Sequence, residues 1–228
     1  RRPAQAAVHG DGRPRRRHLT ARARAAAVLE PARGARGLRA DKRLGQHFLF
    51  DPSILRRIAA AAGDLAGASV LEIGPGPGGL TRALLAAGVE RLVAVERDPR
   101  LVPQLRELEA RAAGRLEVLE ADALELDPCA IAQGRRLRIV ANLPYNVATP
   151  LLIGWLERLA CVELMVLMFQ KEVALRLAAA PGTADYGRLA VMAQLLCRVE
   201  RLFDLPPAAF TPPPKVSSSV VRLSPLPE

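Results

Sequence analysis

The apolar run Ile139–Ala141 stops abruptly at Asn142, Leu143, Pro144 and Tyr145. A side-chain amide, a proline carbonyl and an aromatic ring at the end of a buried strand can hold a flat ring that carries an amino group. Chemistry on a nucleobase amine is one reading of that stretch. The other is a plain strand end and turn, because Asn and Pro are common turn residues and Tyr often only packs. The neighbouring segments weigh on this choice.

Residues 69–74, SVLEIG, read as a short buried strand that runs into GPGPGG, after which LTRALLAAG resumes helical spacing. Gly74, Gly76, Gly78 and Gly79 allow backbone angles and close approaches that side chains block, and the following helix offers unpaired N–H groups. Gly74, Gly76 and Gly79 also satisfy the G-x-G-x-x-G spacing of dinucleotide sites, so the loop alone does not choose a cofactor. The next strand, RLVAVE, ends at Glu96, 22 positions beyond Gly74, where a doubly wound fold places an acid against ribose hydroxyls. A third, LEVLEAD, ends at Asp122, which can accept from an adenine amino group. Each acid taken singly is equally a solvated strand end or a helix cap, but the three consecutive strand ends together carry Gly, Glu and Asp.

These residues need a frame. RLRIVANLPY supplies a fourth strand, ATPLLIGWLERL a helix, and CVELMVLMFQ a fifth, strongly apolar strand, with helices expected around KEVALRLAAA and YGRLAVMAQLL and apolar segments near CRVERLF and SSSVVRL. Repeated β-α alternation predicts an α/β fold: an open, mostly parallel sheet covered by helices on both faces, with ligands at the carboxyl ends of its strands. Upstream, KRLGQHFLFD places His47, Phe48 and Leu49 before Asp51, a suitable N-cap, and Pro52, suited to a first helical turn. His47 alone reads as a surface or locally bonded imidazole. Met165, Met168 and Trp155 read as core filling. AFTPPPKVSSSV combines Phe210, three prolines and Lys215 into a stiff loop with an aromatic tip and one cation, either a rigid linker or a base-stacking element.

The 228 residues suffice for one large domain with a core, and the formal charge is +10. Residues 1–40 hold eleven Arg against Asp11 and Glu30, so the basic signal belongs to this tail. A solvated arm is its default reading, and a phosphate backbone its electrostatic match. No run reaches the roughly 18 apolar residues that a membrane helix needs, and no charged-then-apolar signal peptide precedes the fold. Cys129, Cys161 and Cys197 are odd in number and outside any CxxC pattern, which predicts reduced core thiols, no zinc site and an intracellular compartment. The Arg-rich start resembles a mitochondrial transit peptide as well, although no serine precedes Ser53. Neither a metal cluster nor a Ser-His-Asp arrangement is expected.

Together, LGQHFL, LEIGPGPGGLT, VERD, EADAL, ANLPYN, FQKEVALRL, YGRLAV and FTPPPKVSSSVVRL resemble the KsgA-type small-subunit ribosomal RNA adenine dimethyltransferases, from about Lys42 to Leu223. The resemblance implies a class I methyltransferase fold with S-adenosylmethionine as donor. It implies transfer of methyl groups to N6 of two adjacent adenosines near the 3′ end of the small-subunit RNA, within an immature ribosomal particle in the cytoplasm. No membrane is involved, and a monomer is expected. Cofactor contacts fall on His47, Leu49, Gly74, Gly76, Glu96, Asp122 and Asn142. His47 stands where asparagine is common in this motif. The resemblance assigns catalysis to Asn142 and the Pro144 carbonyl, which hydrogen-bond the target amine, with Tyr145 stacking on the base and Phe210 as a second aromatic contact.

The expected organisation is a basic tail over 1–40, a catalytic domain over 41–223, and in 224–228 the start of a helical C-terminal region that family members usually carry. Arg1 in place of Met reads as an incomplete or processed start. Two other classes stay open on sequence: an assembly factor that binds immature small subunits without efficient turnover, and a DNA adenine methyltransferase. A nicotinamide oxidoreductase has only the glycine spacing in its favour.

Overall fold

The computed structural model of the protein describes residues 40–227. The basic tail lies outside the described residues, apart from Ala40. Seven strands form one sheet: β2 (Ser69–Ile73), β3 (Arg91–Glu96), β4 (Leu116–Glu120), β5 (Leu137–Ala141), β6 (Val162–Gln170), β7 (Cys197–Leu205) and β9 (Ser218–Pro225), in the order β4-β3-β2-β5-β6-β9-β7. The first five are parallel, and β9 and β7 close one edge antiparallel. The order reverses beside β2, so the carboxyl ends of β2 and β5 flank a crevice.

Alternate residues of the central strands serve opposite faces, as the period of two requires. Val70 and Val140 join one core layer with Ile58, Leu84 and Leu105 of helices α1 (Pro52–Ala61), α2 (Gly79–Ala86) and α3 (Val102–Arg111). Leu71 and Ile139 join the other with Leu152, Trp155 and Leu177 of α5 (Tyr145–Leu156) and α6 (Lys171–Leu177). The expected sheet covered on both faces is thus the observed one. Short α4 (Pro128–Ala132) precedes β5, and α7 (Arg188–Leu196) leads into β7. Met165, Met168 and Trp155 are buried as expected, and Asp51 caps α1, accepting from the Ser53 and Ile54 amides.

Two expectations need correction. Cys129 and Cys161 form a disulfide with Cα atoms 5.4 Å apart, and only Cys197 is a free, buried thiol, pushed up to about 11 by desolvation. Spacing could not show this, because α4 and the turn Leu159–Cys161 meet only once β5 and β6 lie side by side. The cysteine argument for a reducing compartment falls with it. Phe210 is not an exposed loop tip. It lies in β8 (Phe210–Thr211), which pairs antiparallel with β1 (Phe48–Leu49) in a separate two-stranded ribbon, and its ring is 3% exposed within the first core layer.

Candidate active site

The carboxyl ends of β2, β3, β4 and β5 open onto one cavity of about 1050 Å³, its mouth included, roofed by residues 43–48. His47, Gly74, Gly76, Glu96, Asp122, Asn142, Pro144 and Tyr145 all line it. Leu49 and Phe210 do not: they face each other in the β1–β8 ribbon and pack into the core beneath it.

The glycine loop is held in shape from inside. Gly74, Gly76 and Gly78 have φ of 64°, 56° and 79°, the left-handed region that favours glycine. Buried Arg82 of α2 donates to the carbonyls of Pro77 and Gly78 at 2.9 and 2.8 Å, tying loop to helix. A Cβ on Gly76 would stand 3.1 Å from the Phe48 ring, so the loop and the roof touch there.

Glu96 is 5% exposed, yet its oxygens are aimed: Oε2 accepts from the Gly76 amide at 3.0 Å and Oε1 from the Asp98 amide at 2.8 Å. Burial pushes its carboxyl above the usual range, and these two amides partly offset that. A carboxylate keeps lone pairs beyond one donor per oxygen, so Glu96 can still accept from a vicinal diol. Asp122 caps the turn Ala123–Glu125 through the Leu124 amide and pairs with Arg97 at 3.1 Å. Cap and cavity wall are here the same residue.

Asn142 donates from Nδ2 to the His47 carbonyl at 3.0 Å. A carbonyl can only accept, so the amide is oriented with Oδ1 as its remaining acceptor. Tyr145 is half-buried, with its hydroxyl 2.6 Å from Ser218 Oγ and its pKa raised by burial. The Pro144 carbonyl, by contrast, already accepts the Val147 and Ala148 amides, each at 3.1 Å, as the first acceptor of α5. Both of its lone pairs are committed to the helix start, so the assignment of that carbonyl to the target amine does not fit. Leu143, also on the wall, has a carbonyl that takes no part in this cap.

Sequence reasoning passed over several other residues. Gln46 Nε2 donates to Asp98 Oδ2 at 2.9 Å, and Gln46 Oε1 accepts from the Asp41 amide at 2.8 Å, fastening the roof to the loop after β3. Asp98 is 2% exposed and its carboxyl is held down to about 2, first by Arg100, whose Nε donates at 2.8 Å, and also by Gln46. The signal for Asp98 was its place two residues after Glu96, on the same turn. Glu72 of β2 is fully buried, and neither carboxyl oxygen makes a hydrogen bond, although Thr81 lies close enough to offset the desolvation in part. Burial raises Glu72 to about 8. Glu72 lies in the stretch read as a buried strand, but nothing local showed that its carboxyl oxygens would make no hydrogen bond.

With this geometry established, comparison with known proteins is direct. Residues 37–228 match the family model described as "Ribosomal RNA adenine dimethylase". Ribosomal RNA small subunit methyltransferase A of Rhodospirillum rubrum is 59% identical over 192 residues, covering 84% of this chain and 66% of the relative. The protein of the same name from Methylobacterium radiotolerans is 54% identical over 220 residues, covering 95% and 71%. This chain therefore spans about two thirds of the length of these relatives. Among solved structures, a dimethyladenosine transferase from Plasmodium falciparum superposes with a TM-score of 0.71 at 33% identity, covering 79% of this chain and 64% of that one. The 23S rRNA methyltransferase ErmE gives 0.67 at 32% identity, covering 79% and 70%. The class I methyltransferase sheet, the cavity at its carboxyl edge and a family match over most of the chain agree: the protein belongs to the ribosomal RNA adenine dimethylase family.

Proposed function

We propose that the protein transfers methyl groups from S-adenosylmethionine to N6 of two adjacent adenosines near the 3′ end of small-subunit ribosomal RNA, on an immature particle in the cytoplasm. The observation that carries this reading is the juxtaposition, in one cavity, of an oriented Asn142 amide and Tyr145 with the Gly74, Glu96 and Asp122 strand ends. The family membership and the relatives' printed names support the substrate class.

The residues present fit the donor. The left-handed glycine loop lets a ligand approach the backbone, Glu96 offers acceptors of the kind a ribose diol needs, and Asp122 offers one for an exocyclic amine. S-adenosylmethionine would supply a methyl group on a sulfonium: as N6 takes the methyl, the sulfur–methyl bond breaks, neutral S-adenosylhomocysteine leaves without needing an acid, and the methylated amine loses one N6 proton to solvent. The task left to the chain is to prepare the amine. Adenine N6 is a poor nucleophile because its lone pair is delocalised into the ring. Asn142 Oδ1, kept free by the Nδ2 bond to His47, accepts from one N6–H and favours the pyramidal amine that attacks in line. A second acceptor is available at the Leu143 carbonyl rather than at Pro144. Tyr145 offers the stacking face, anchored through Ser218. Catalysis is then positioning in a site shielded from water, and the target base must be unstacked to enter it.

Asn142→Ala tests this directly. Transfer of labelled methyl to unmethylated small subunits should fall by about 100-fold or more, in line with the loss of a transition-state hydrogen bond in a preorganised site. Binding of S-adenosylmethionine, measured by titration, should change far less. Full activity in the variant would remove Asn142 from the chemistry.

A further inference from the structure

The Cys129–Cys161 disulfide lies outside the cavity, and nothing in the proposed chemistry uses it. Cys129 stands in the first turn of five-residue α4, with its amide held by Asp127 Oδ1 at 2.9 Å, and Cys161 ends the turn that leads into β6. The bond spans 32 positions, and the loop it closes carries β5, the Asn142–Tyr145 strand end and all of α5. Shortly before Cys129, residues 121–124 form the cavity wall on the Asp122 side. Ala121, Ala123, Leu126 and Cys161 all pack against the core layer that holds Leu152 and Leu156. The bridge therefore ties the segment behind the Asp122 wall to the turn that follows the helix beginning at Tyr145. Both of its cysteines are half-buried, whereas Cys197 is 1% exposed, so an external thiol can reach the bond but not the third cysteine. The two sulfurs lie 3.6 and 3.8 Å from the Arg158 carbonyl, an acceptor already in place for a thiol proton once the bond opens. In a cytoplasm, where thiol pools keep most cysteines reduced, disulfides are typically transient or redox-sensing.

We propose that Cys129 and Cys161 are a reversible thiol modification site that sets the firmness of the Asp122 wall and, through it, affinity for the methyl donor. The link to the donor rests on the proposed function; the modification site itself does not. A dithiol opens the bond: its thiolate attacks one sulfur, the S–S bond breaks, and its second thiol displaces the protein from the mixed disulfide. Two electrons and two protons pass to the protein as the Cys129 and Cys161 thiols, and the reductant leaves as a disulfide. A low-molecular-weight disulfide, such as oxidised glutathione, reverses the exchange. Arg91 still donates to the Ile131 carbonyl of α4 at 2.9 Å, so reduction loosens the segment while the sheet stays folded. A donor that needs the wall in one arrangement then loses more on binding, because the cross-link no longer supplies that order in advance.

The experiment compares the chain oxidised with glutathione disulfide, the chain reduced with dithiothreitol, and Cys129→Ser. Alkylation after acid quench and unfolding should count one thiol in the oxidised chain and three in the reduced one. Hydrogen exchange of the amides in residues 121–132 should accelerate about tenfold or more on reduction and stay unchanged in β2 and β3. The Kd for S-adenosylmethionine should rise about threefold or more, and Cys129→Ser should match the reduced chain with or without dithiothreitol. Three thiols after oxidation, a bond that resists dithiothreitol in the folded chain, or equal exchange in both states would each overturn the modification site. Changed exchange with equal donor Kd would overturn its link to donor affinity. No donor binding in either state would overturn the functional reading and that link together, while the thiol count and the exchange still decide the site itself.

Discussion

Asn142, Glu96 and Glu72 stand within a few residues of one another across three strand ends, and each carries a different kind of risk. Glu96 is costly to bury and is kept in place by two amides, so its return is expected in ligand binding. Glu96→Ala should weaken S-adenosylmethionine by roughly tenfold or more, the worth of hydrogen bonds to a charged group, while leaving RNA affinity nearly unchanged. Separate titrations of the two ligands check this, and the reverse pattern would remove Glu96 from the donor side. Neither carboxyl oxygen of Glu72 makes a hydrogen bond, and burial, only partly offset by nearby Thr81, raises the group to about 8. Its folded pKa lies above the unfolded one. The neutral form that the fold tolerates is therefore fully available below about pH 4.5, and stability is lost as pH rises through about 8. Glu72→Gln should flatten that decline, and at pH 9 should be more stable than the parent by an amount on the order of 4 kcal/mol. Asp98, held down to about 2, acts in the opposite direction and only under acid, where its contribution disappears as pH falls through that value. Urea melts at pH 5, 7 and 9 separate the two: a parent curve flat across that range would contradict the account of Glu72.

At the scale of elements, the parallel core was legible because its signals are local. SVLEI, RLVAVE and RIVA are apolar runs of strand length, each bounded by glycine, charge or proline, and each was observed at or within two residues of its expected end. The cavity-lining residues followed, since the carboxyl end of a strand can be read from where its apolar run stops. What could not be read was pairing at long range. β1 and β8 are two residues each and lie some 160 positions apart, so no periodicity marks them, and Phe210 was expected at a surface where it stacks on a base. The Cys129–Cys161 contact and the Gln46–Asp98 bond escaped for the same reason. The ribbon makes a sharp prediction. Phe210→Ala should cost about 3 kcal/mol or more in unfolding free energy, as for a buried phenylalanine, with methyl transfer lost only as far as the roof is loosened. Unchanged stability with a large loss of kcat would return Phe210 to the substrate.

For the whole molecule, the described charge is nearly balanced and the strongly basic stretch lies at residues 1–39, outside the described residues. Among the described residues, no helix is long and apolar enough to cross a membrane. The cavity proposed to take the donor is lined by residues between Arg43 and Leu151, so on that proposal donor binding is expected of this chain by itself. Recognition of an RNA target in a ribosomal particle is a larger task, and this chain spans about two thirds of its relatives' length. Donor binding and substrate recognition are therefore separable, and both bear on the proposed activity. The most direct measurement incubates the chain with labelled S-adenosylmethionine and unmethylated immature small subunits, then identifies and maps the modified nucleotides by mass spectrometry. The account predicts N6,N6-dimethyladenosine at two adjacent positions near the 3′ end of the small-subunit RNA, absent with Asn142→Ala; methyl groups on any other nucleotide, or no product from a chain that binds both donor and particle, would contradict it.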